Sequence, residues 1–206
     1  MKTARKALML ILCAALLVSA TVMGTLAYLT SQTDTVTNTF TVGNVAITLD
    51  EAKVDVYGVK DGNTRVTENN YKLIPGHTYV KDPTVHVTAG SEKCWLFVKV
   101  VDEIAAIQDT TTVAAQMTAN KWTAVAGAEG VYAYESIVDA GTAAQDVKVF
   151  DNFKIKGNAD VADYTGKTIT IQAYAIQADG FGTAAAAWKA APLSAWTTTP
   201  NPDPAA

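Results

Sequence analysis

The chain has 206 residues, with 16 Lys or Arg against 20 Asp or Glu, a formal net charge of −4 and a composition 49% hydrophobic. An acidic balance without a Lys/Arg cluster lacks the electrostatic footprint of a nucleic-acid binder, so nucleic acid is excluded as a partner class. Two cysteines, Cys13 and Cys94, in a chain of this length exclude a disulfide scaffold.

The first element is a leader. Lys2, Arg5 and Lys6 precede a run from Ala7 to Val22 that is apolar except for Ser19 and Thr21. A basic start followed by an apolar core is the pattern of an export signal, and the run falls short of the ~20 residues that a spanning helix needs. Small residues close it at Gly24, Thr25 and Ala27, and no basic stop-transfer flank follows. A removable signal peptide over residues 1–27 is therefore expected rather than a retained anchor, with cleavage between Ala27 and Tyr28. Removal takes away three positive charges, leaving 179 residues (206 − 27) with a charge of −7 (−4 − 3). Cys13 leaves with the leader, and Leu12 before it does not suit a lipidation site. Cys94, within "CWLFVKVV", then reads as a small buried apolar residue.

Residues 28–37 follow as a threonine-rich stretch of strand character. Tyr28, Thr30 and Gln32 project to one side of an extended chain, Leu29, Ser31 and Thr33 to the other, and Thr35 and Thr37 flank Val36. No proline interrupts backbone pairing, yet the stretch is too weakly apolar to hold firmly to a domain of its own.

From residue 38 to 193, strand signals recur between turn signals. Phe40 and Val42, then Val45, Ile47 and Leu49, alternate with polar or small residues, and a change of phase at Gly43–Asn44 predicts a bulge there. Val54 and Val56 alternate next, before a loop, "KDGNTRVTENN", in which Asp61-Gly62-Asn63 carries turn chemistry. Val85 and Val87 alternate with Thr84, His86 and Thr88. The nearly continuous apolar run of "CWLFVKVV" (94–101) predicts a central strand covered on both faces. Tyr132, Tyr134 and Val138, then Val147, Val149, Phe153 and Ile155, alternate again, and "KTITIQAYAIQ" (167–177) closes the series.

Two stretches read as short helices: 103–120, with Ile104/Ile107 and Val113/Met117 at helical spacing, and 183–191, rich in alanine. The tail, 194–206, is proline-rich with little to bury and is expected to be disordered. Many strands between turns, without regular strand–helix alternation, predict an all-β fold: an antiparallel, jelly-roll-like β-sandwich with short helical insertions.

Motifs that carry chemistry are missing. His77 and His86 lie nine apart (86 − 77) rather than one helical turn apart, as a zinc protease requires. His86 falls on the polar face of an alternating strand and His77 follows a Pro-Gly turn, so both read as surface residues. No serine stands in a G-x-S-x-G turn, and "DNFKIKGNADVAD" lacks the spaced acidic ligands of a calcium loop. Trp95, Tyr132, Tyr134, Tyr174 and Trp188 are of the type that lines carbohydrate sites, but such residues more often fill a core. No catalytic, metal-ligating or cofactor-binding residue is nominated, and no enzyme is expected.

The junction "GTLAYLTSQTDTVTNTFTVGNVAITLD" (24–50) resembles the leader junction of the TasA and camelysin family of Gram-positive bacteria. The shared pattern is Gly-Thr-x-Ala-aromatic, a short polar stretch, then Asn38-Thr39-Phe40 and Gly43-Asn44-Val45 leading into an alternating strand. "KLIPGHTYVKDPTVHV" before "CWLFVKV", and the late strand "ITIQAYAIQADGF", are similar to segments of the same family. The chain departs from the pattern at Leu29-Thr30-Ser31, where family members often carry an aromatic and then an acidic residue.

The resemblance implies a secreted jelly-roll subunit, cut by a signal peptidase of the SipW type, that assembles with itself into fibres of the biofilm matrix or cell surface. Other matrix proteins or polysaccharide are the further partners it suggests. It also implies that residues 28–37, through Tyr28, Leu29, Thr30 and Val36, are donated as a strand to the next subunit after cleavage. Two other function classes compete: a monomeric adhesin that binds carbohydrate or host protein on a sheet face, and a camelysin-like peptidase, for which the chain lacks a zinc motif.

Overall fold

The computed structural model describes residues 5–7, 9–15 and 43–190. The chain divides into two compact units, Met1–Thr41 and Val42–Ala206. In the first, residues 5–7 and 9–15 are helical, with Met9, Leu10, Ile11 and Leu12 exposed. Among the described residues, no helix is long and apolar enough to cross a membrane.

The second unit is mostly β, with antiparallel sheets and a few short helices. Its strands are β1 (Ile47–Val54), β2 (Lys60–Val66), β3 (Thr78–Val80), β4 (Thr84–Val87), β5 (Cys94–Asp102), β6 (Trp122–Ala124), β7 (Val131–Tyr134), β8 (Gln145–Lys148), β9 (Asn152–Lys154) and β10 (Ile169–Gln177). Two α-helices, α1 (Val113–Ala119) and α2 (Ala184–Ala190), occupy the two stretches that the sequence marks as helical. The sheets run β2-β1-β4-β8, β10-β5-β7-β6 and β3-β9, with every described pairing antiparallel.

The period of two decides which side chains meet. Val85 and Val87 of β4 are fully buried and join Cys94, Leu96, Val98 and Val100 of β5 in one core cluster, to which both four-stranded sheets contribute. The opposite face of β5 presents Trp95 and Phe97 to a second cluster with Ala187 and Trp188 of α2. Burial of both faces is why "CWLFVKVV" shows no alternation. Cys94 lies in this wall, and burial pushes its thiol up to about 11, so the thiolate form is strongly disfavoured.

Helix α1 starts where the Thr112 side chain accepts the Ala115 backbone N–H at 3.2 Å, and it buries Val113 and Met117 one turn apart. It stops at Asn120, after which Lys121 turns left-handed with φ 67°.

Several local expectations are corrected. "KDGNTRV" is not a loop but β2, and the chain reversal before it lies at Asp55–Val59, where the Asp55 side chain accepts the backbone N–H groups of Tyr57 and Val59. Gly58 takes φ 75° there, and a Cβ on it would stand 2.7 Å from the Tyr79 Cα, so only glycine fits. The Asp61-Gly62-Asn63 signal survives as a bulge. The register jumps from Ala52↔Arg65 to Val54↔Lys60, setting one β1 residue (54 − 52 − 1) against four of β2 (65 − 60 − 1), with Gly62 at φ 68°.

Val56 does not continue an alternating strand; it is exposed in the reversal. The irregularity of β1 falls beside Lys53 rather than at Gly43–Asn44, which precede the strand without joining a ladder. Tyr132 and Tyr134 are in β7 as expected, but both faces of that strand are covered, with Val131 and Ala133 buried in the second cluster. Val138 lies beyond β7 and makes an isolated bridge to Cys94.

Candidate functional site

The densest polar constellation sits on the sheet β2-β1-β4-β8. Thr84 and His86 of β4 point away from Val85 and Val87, and the register sets His86 directly opposite Asp146 of β8 and one step diagonal to Asp50 of β1, through Thr48. His86 Nδ1 meets Asp146 Oδ1 at 2.7 Å and His86 Nε2 meets Asp50 Oδ1 at 2.9 Å. Arg65 of β2 binds the same Asp50 carboxylate through Nε and reaches the Asp82 carbonyl through Nη2 at 3.1 Å.

The buried Asp82 carboxylate accepts the Ala52 N–H at 2.7 Å and Lys60 Nζ at 3.0 Å. Behind it, Lys81 Nζ contacts Glu51 Oε2 at 2.6 Å, and Asn69 Nδ2 donates to Glu51 Oε1 at 2.9 Å.

Burial disfavours the charge on Asp50, but the Arg65 and His86 hydrogen bonds outweigh it and hold the carboxyl below its ordinary range. Burial likewise opposes protonation of His86, yet its two carboxylate partners raise its pKa. With both ring nitrogens aimed at carboxylates, the imidazole has no position left from which to take a proton off a nucleophile. It acts as a clamp across β1, β4 and β8, and its two carboxylate partners favour the charged form of the ring.

A raised histidine contributes stability in full below its unfolded pKa, near 6.5, and loses it as pH rises through the higher folded value. A depressed aspartate contributes above 3.8 and loses that contribution as pH falls through its folded value. The clamp is thus strongest between these limits. In thermal melts, the Tm deficit of His86→Asn relative to the unsubstituted chain is expected to be larger at about pH 5.5 than at about pH 8.5. Equal deficits at both would mean that the ring is not charged.

His77 Nε2 lies 2.8 Å from the Tyr57 carbonyl, and its ring packs edge-on to Tyr79, so it shares no partner with His86. Among the described residues, no group of three or more His, Cys, Asp or Glu is placed to hold a metal ion. Of the aromatic residues considered for carbohydrate, Trp95 and Trp188 are buried in the second cluster. Tyr134 lines an open cleft of about 270 Å³ with Asn120, Lys121, Asp146 and Lys148.

The residues nominated from sequence, Ala27 and Tyr28 at the cleavage point and Tyr28, Leu29, Thr30 and Val36 for strand donation, lie outside the described residues. No local pattern in the sequence marks the clamp, because its partners stand 36 and 60 residues apart. Its only trace was a histidine on the polar face of an alternating strand. In comparisons with known proteins, no family model, no curated protein and no solved structure matches the chain significantly.

Proposed function

We propose that the chain is an exported structural subunit that assembles with itself into fibres of the extracellular matrix or cell surface, as its resemblance to the TasA and camelysin family implies. The observation that carries this reading is the make-up of residues 28–37, which suit β-pairing, contain no proline and are too weakly apolar to hold firmly to a domain of their own. The β-rich unit that follows has cores and sheets of its own. A segment suited to pairing but weakly apolar is available to a neighbour, whose sheet edge gains a full set of backbone hydrogen bonds.

In this reading the two four-stranded sheets are the layers of a jelly-roll sandwich. Cleavage between Ala27 and Tyr28 by a signal peptidase of the SipW type is then the trigger, since a segment still held at the membrane is not free to be donated.

A chain beginning at Tyr28 is expected to form fibres under the electron microscope, and one beginning at Asn38 to stay a folded monomer. Val36→Pro in the longer chain acts like the deletion, because it removes a backbone donor and restricts the preceding residue. Equal polymerisation of all three, with folding verified by circular dichroism, would overturn the reading.

A further inference from the structure

We propose that the free edge of β10 is the acceptor surface, and that its occupant is the Tyr28–Thr37 segment of a second copy of this chain. The inference rests on the assembly reading above and adds to it where the incoming strand docks.

Among the described residues, the four outer strands of the two larger sheets are β2, β8, β6 and β10, and three of them are blunted. Strand β2 carries Lys60, Asp61 and Arg65 and is broken by its bulge. Strand β8 has 4 residues, two of them Asp146 and Lys148, and β6 has only 3. Short length, charge and bulges are the means by which sheet edges avoid unwanted pairing. Strand β10 uses none of them. It has 9 residues, ITIQAYAIQ, with no charged side chain, proline or glycine. Its ladder to β5 is unbroken from Ile169↔Asp102 to Gln177↔Cys94.

The direction of its backbone groups follows from the ladder's two ends. Glu103 N–H donates to the Thr168 carbonyl at 3.0 Å, and Ala178 N–H to the Lys93 carbonyl at 2.7 Å. Hydrogen-bonded pairs alternate in an antiparallel ladder, so Thr170, Gln172, Tyr174 and Ile176 turn their N–H and C=O groups toward β5. Ile169, Ile171, Ala173, Ala175 and Gln177 turn theirs outward. Among the described residues, no backbone group pairs with that outward row. The same odd-numbered positions send Ile169, Ile171, Ala173 and Ala175 toward the main core while leaving them only partly buried. The small Ala173 and Ala175 give an incoming Leu or Val side chain room to complete that margin.

The segment fits this edge in length and chemistry. Residues 28–37 number ten (37 − 28 + 1) against nine in β10, contain no proline, and carry Asp34 as their one charge. At about 3.3 Å per residue, either strand spans roughly 30 Å.

Ala173→Pro removes an N–H that points off the edge without taking a bond from β5, and prolines are tolerated at such edge positions. Thr170→Lys with Gln172→Lys instead adds charge to the outer side of the strand and leaves its backbone unaltered. Each is made in the chain beginning at Tyr28 and followed by light scattering, microscopy and circular dichroism. Both are expected to stay folded and monomeric while the unsubstituted chain polymerises. Mixing Ala173→Pro with Val36→Pro should yield a dimer containing one of each, and nothing larger, because one variant keeps its donor and the other its edge.

If the unsubstituted chain polymerises and the lysine pair does so within about twofold of its rate, β10 is not the acceptor, although the assembly reading stands. A mixture that stays monomeric counts against β10 in the same way. Should Ala173→Pro fail to fold, the lysine pair decides. A chain from Tyr28 that never polymerises, but loses the same thermal stability on Ala173→Pro as on deletion of residues 28–37, would place the segment on its own β10 and overturn both proposals.

Discussion

Lys81→Met is expected to destabilise the folded chain by about 3–5 kcal/mol, the cost of leaving a buried charge without its counter-ion. Glu51 shares the face of β1 that carries Ile47 and Leu49, and its carboxylate and the Lys81 ammonium are both nearly inaccessible, at 6% and 10% exposure. Lys81 holds that carboxylate at 2.6 Å and lies 5.9 Å from the centre of the Tyr71 ring. Methionine keeps the stem's packing but deletes the charge, and among the described residues Asn69 alone then faces the carboxylate with one hydrogen bond.

The matching double variant, Glu51→Leu with Lys81→Met, should recover most of the loss, because removing a buried pair together leaves no orphaned charge. Chemical denaturation of the three variants at neutral pH checks this. A loss below about 1 kcal/mol for Lys81→Met would mean that water reaches Glu51 after all.

Trp122→Ala carries a comparable cost, about 3–5 kcal/mol by the usual range for aromatic truncation in a core. Trp122 is 1% exposed and belongs to β6, the outer strand of one four-stranded sheet. Its indole N–H donates to the Lys148 carbonyl of β8, the outer strand of the other, at 2.9 Å. It therefore fastens the two sheets along one margin and packs against Tyr134 with ring centres 5.2 Å apart. Trp122→Phe separates the two contributions, since it keeps most of the apolar bulk and loses the hydrogen bond. Its cost is expected to be nearer 1–2 kcal/mol, about that of one unpaired carbonyl and a small void. Unfolding midpoints of the two variants that coincide would assign the whole effect to the hydrogen bond.

Strand identity was legible wherever burial on one or both faces left a period in the sequence. Val85 and Val87, the unbroken run through Leu96 and Phe97, and the alternation of 169–177 each became strands for that reason. The helix at Val113–Ala119 was legible too, because Val113 and Met117 are one turn apart. Burial of Cys94 followed from its neighbours alone. Strand β2 was not legible, since six of its seven residues are exposed and it is held by pairing to β1 and by ions rather than by apolar burial.

Local chemistry marked Asp61-Gly62-Asn63 as a turn, and only the presence of β1 alongside converted it into a bulge. The His86 clamp and the buried Glu51–Lys81 pair depend on register between strands, which no local pattern encodes. The composition of β10 can be read from its residues, but its place at an edge cannot. Which strand lies outermost is decided by how all the strands pair at once, and that choice determines where the outward backbone groups of Ile169 to Gln177 point.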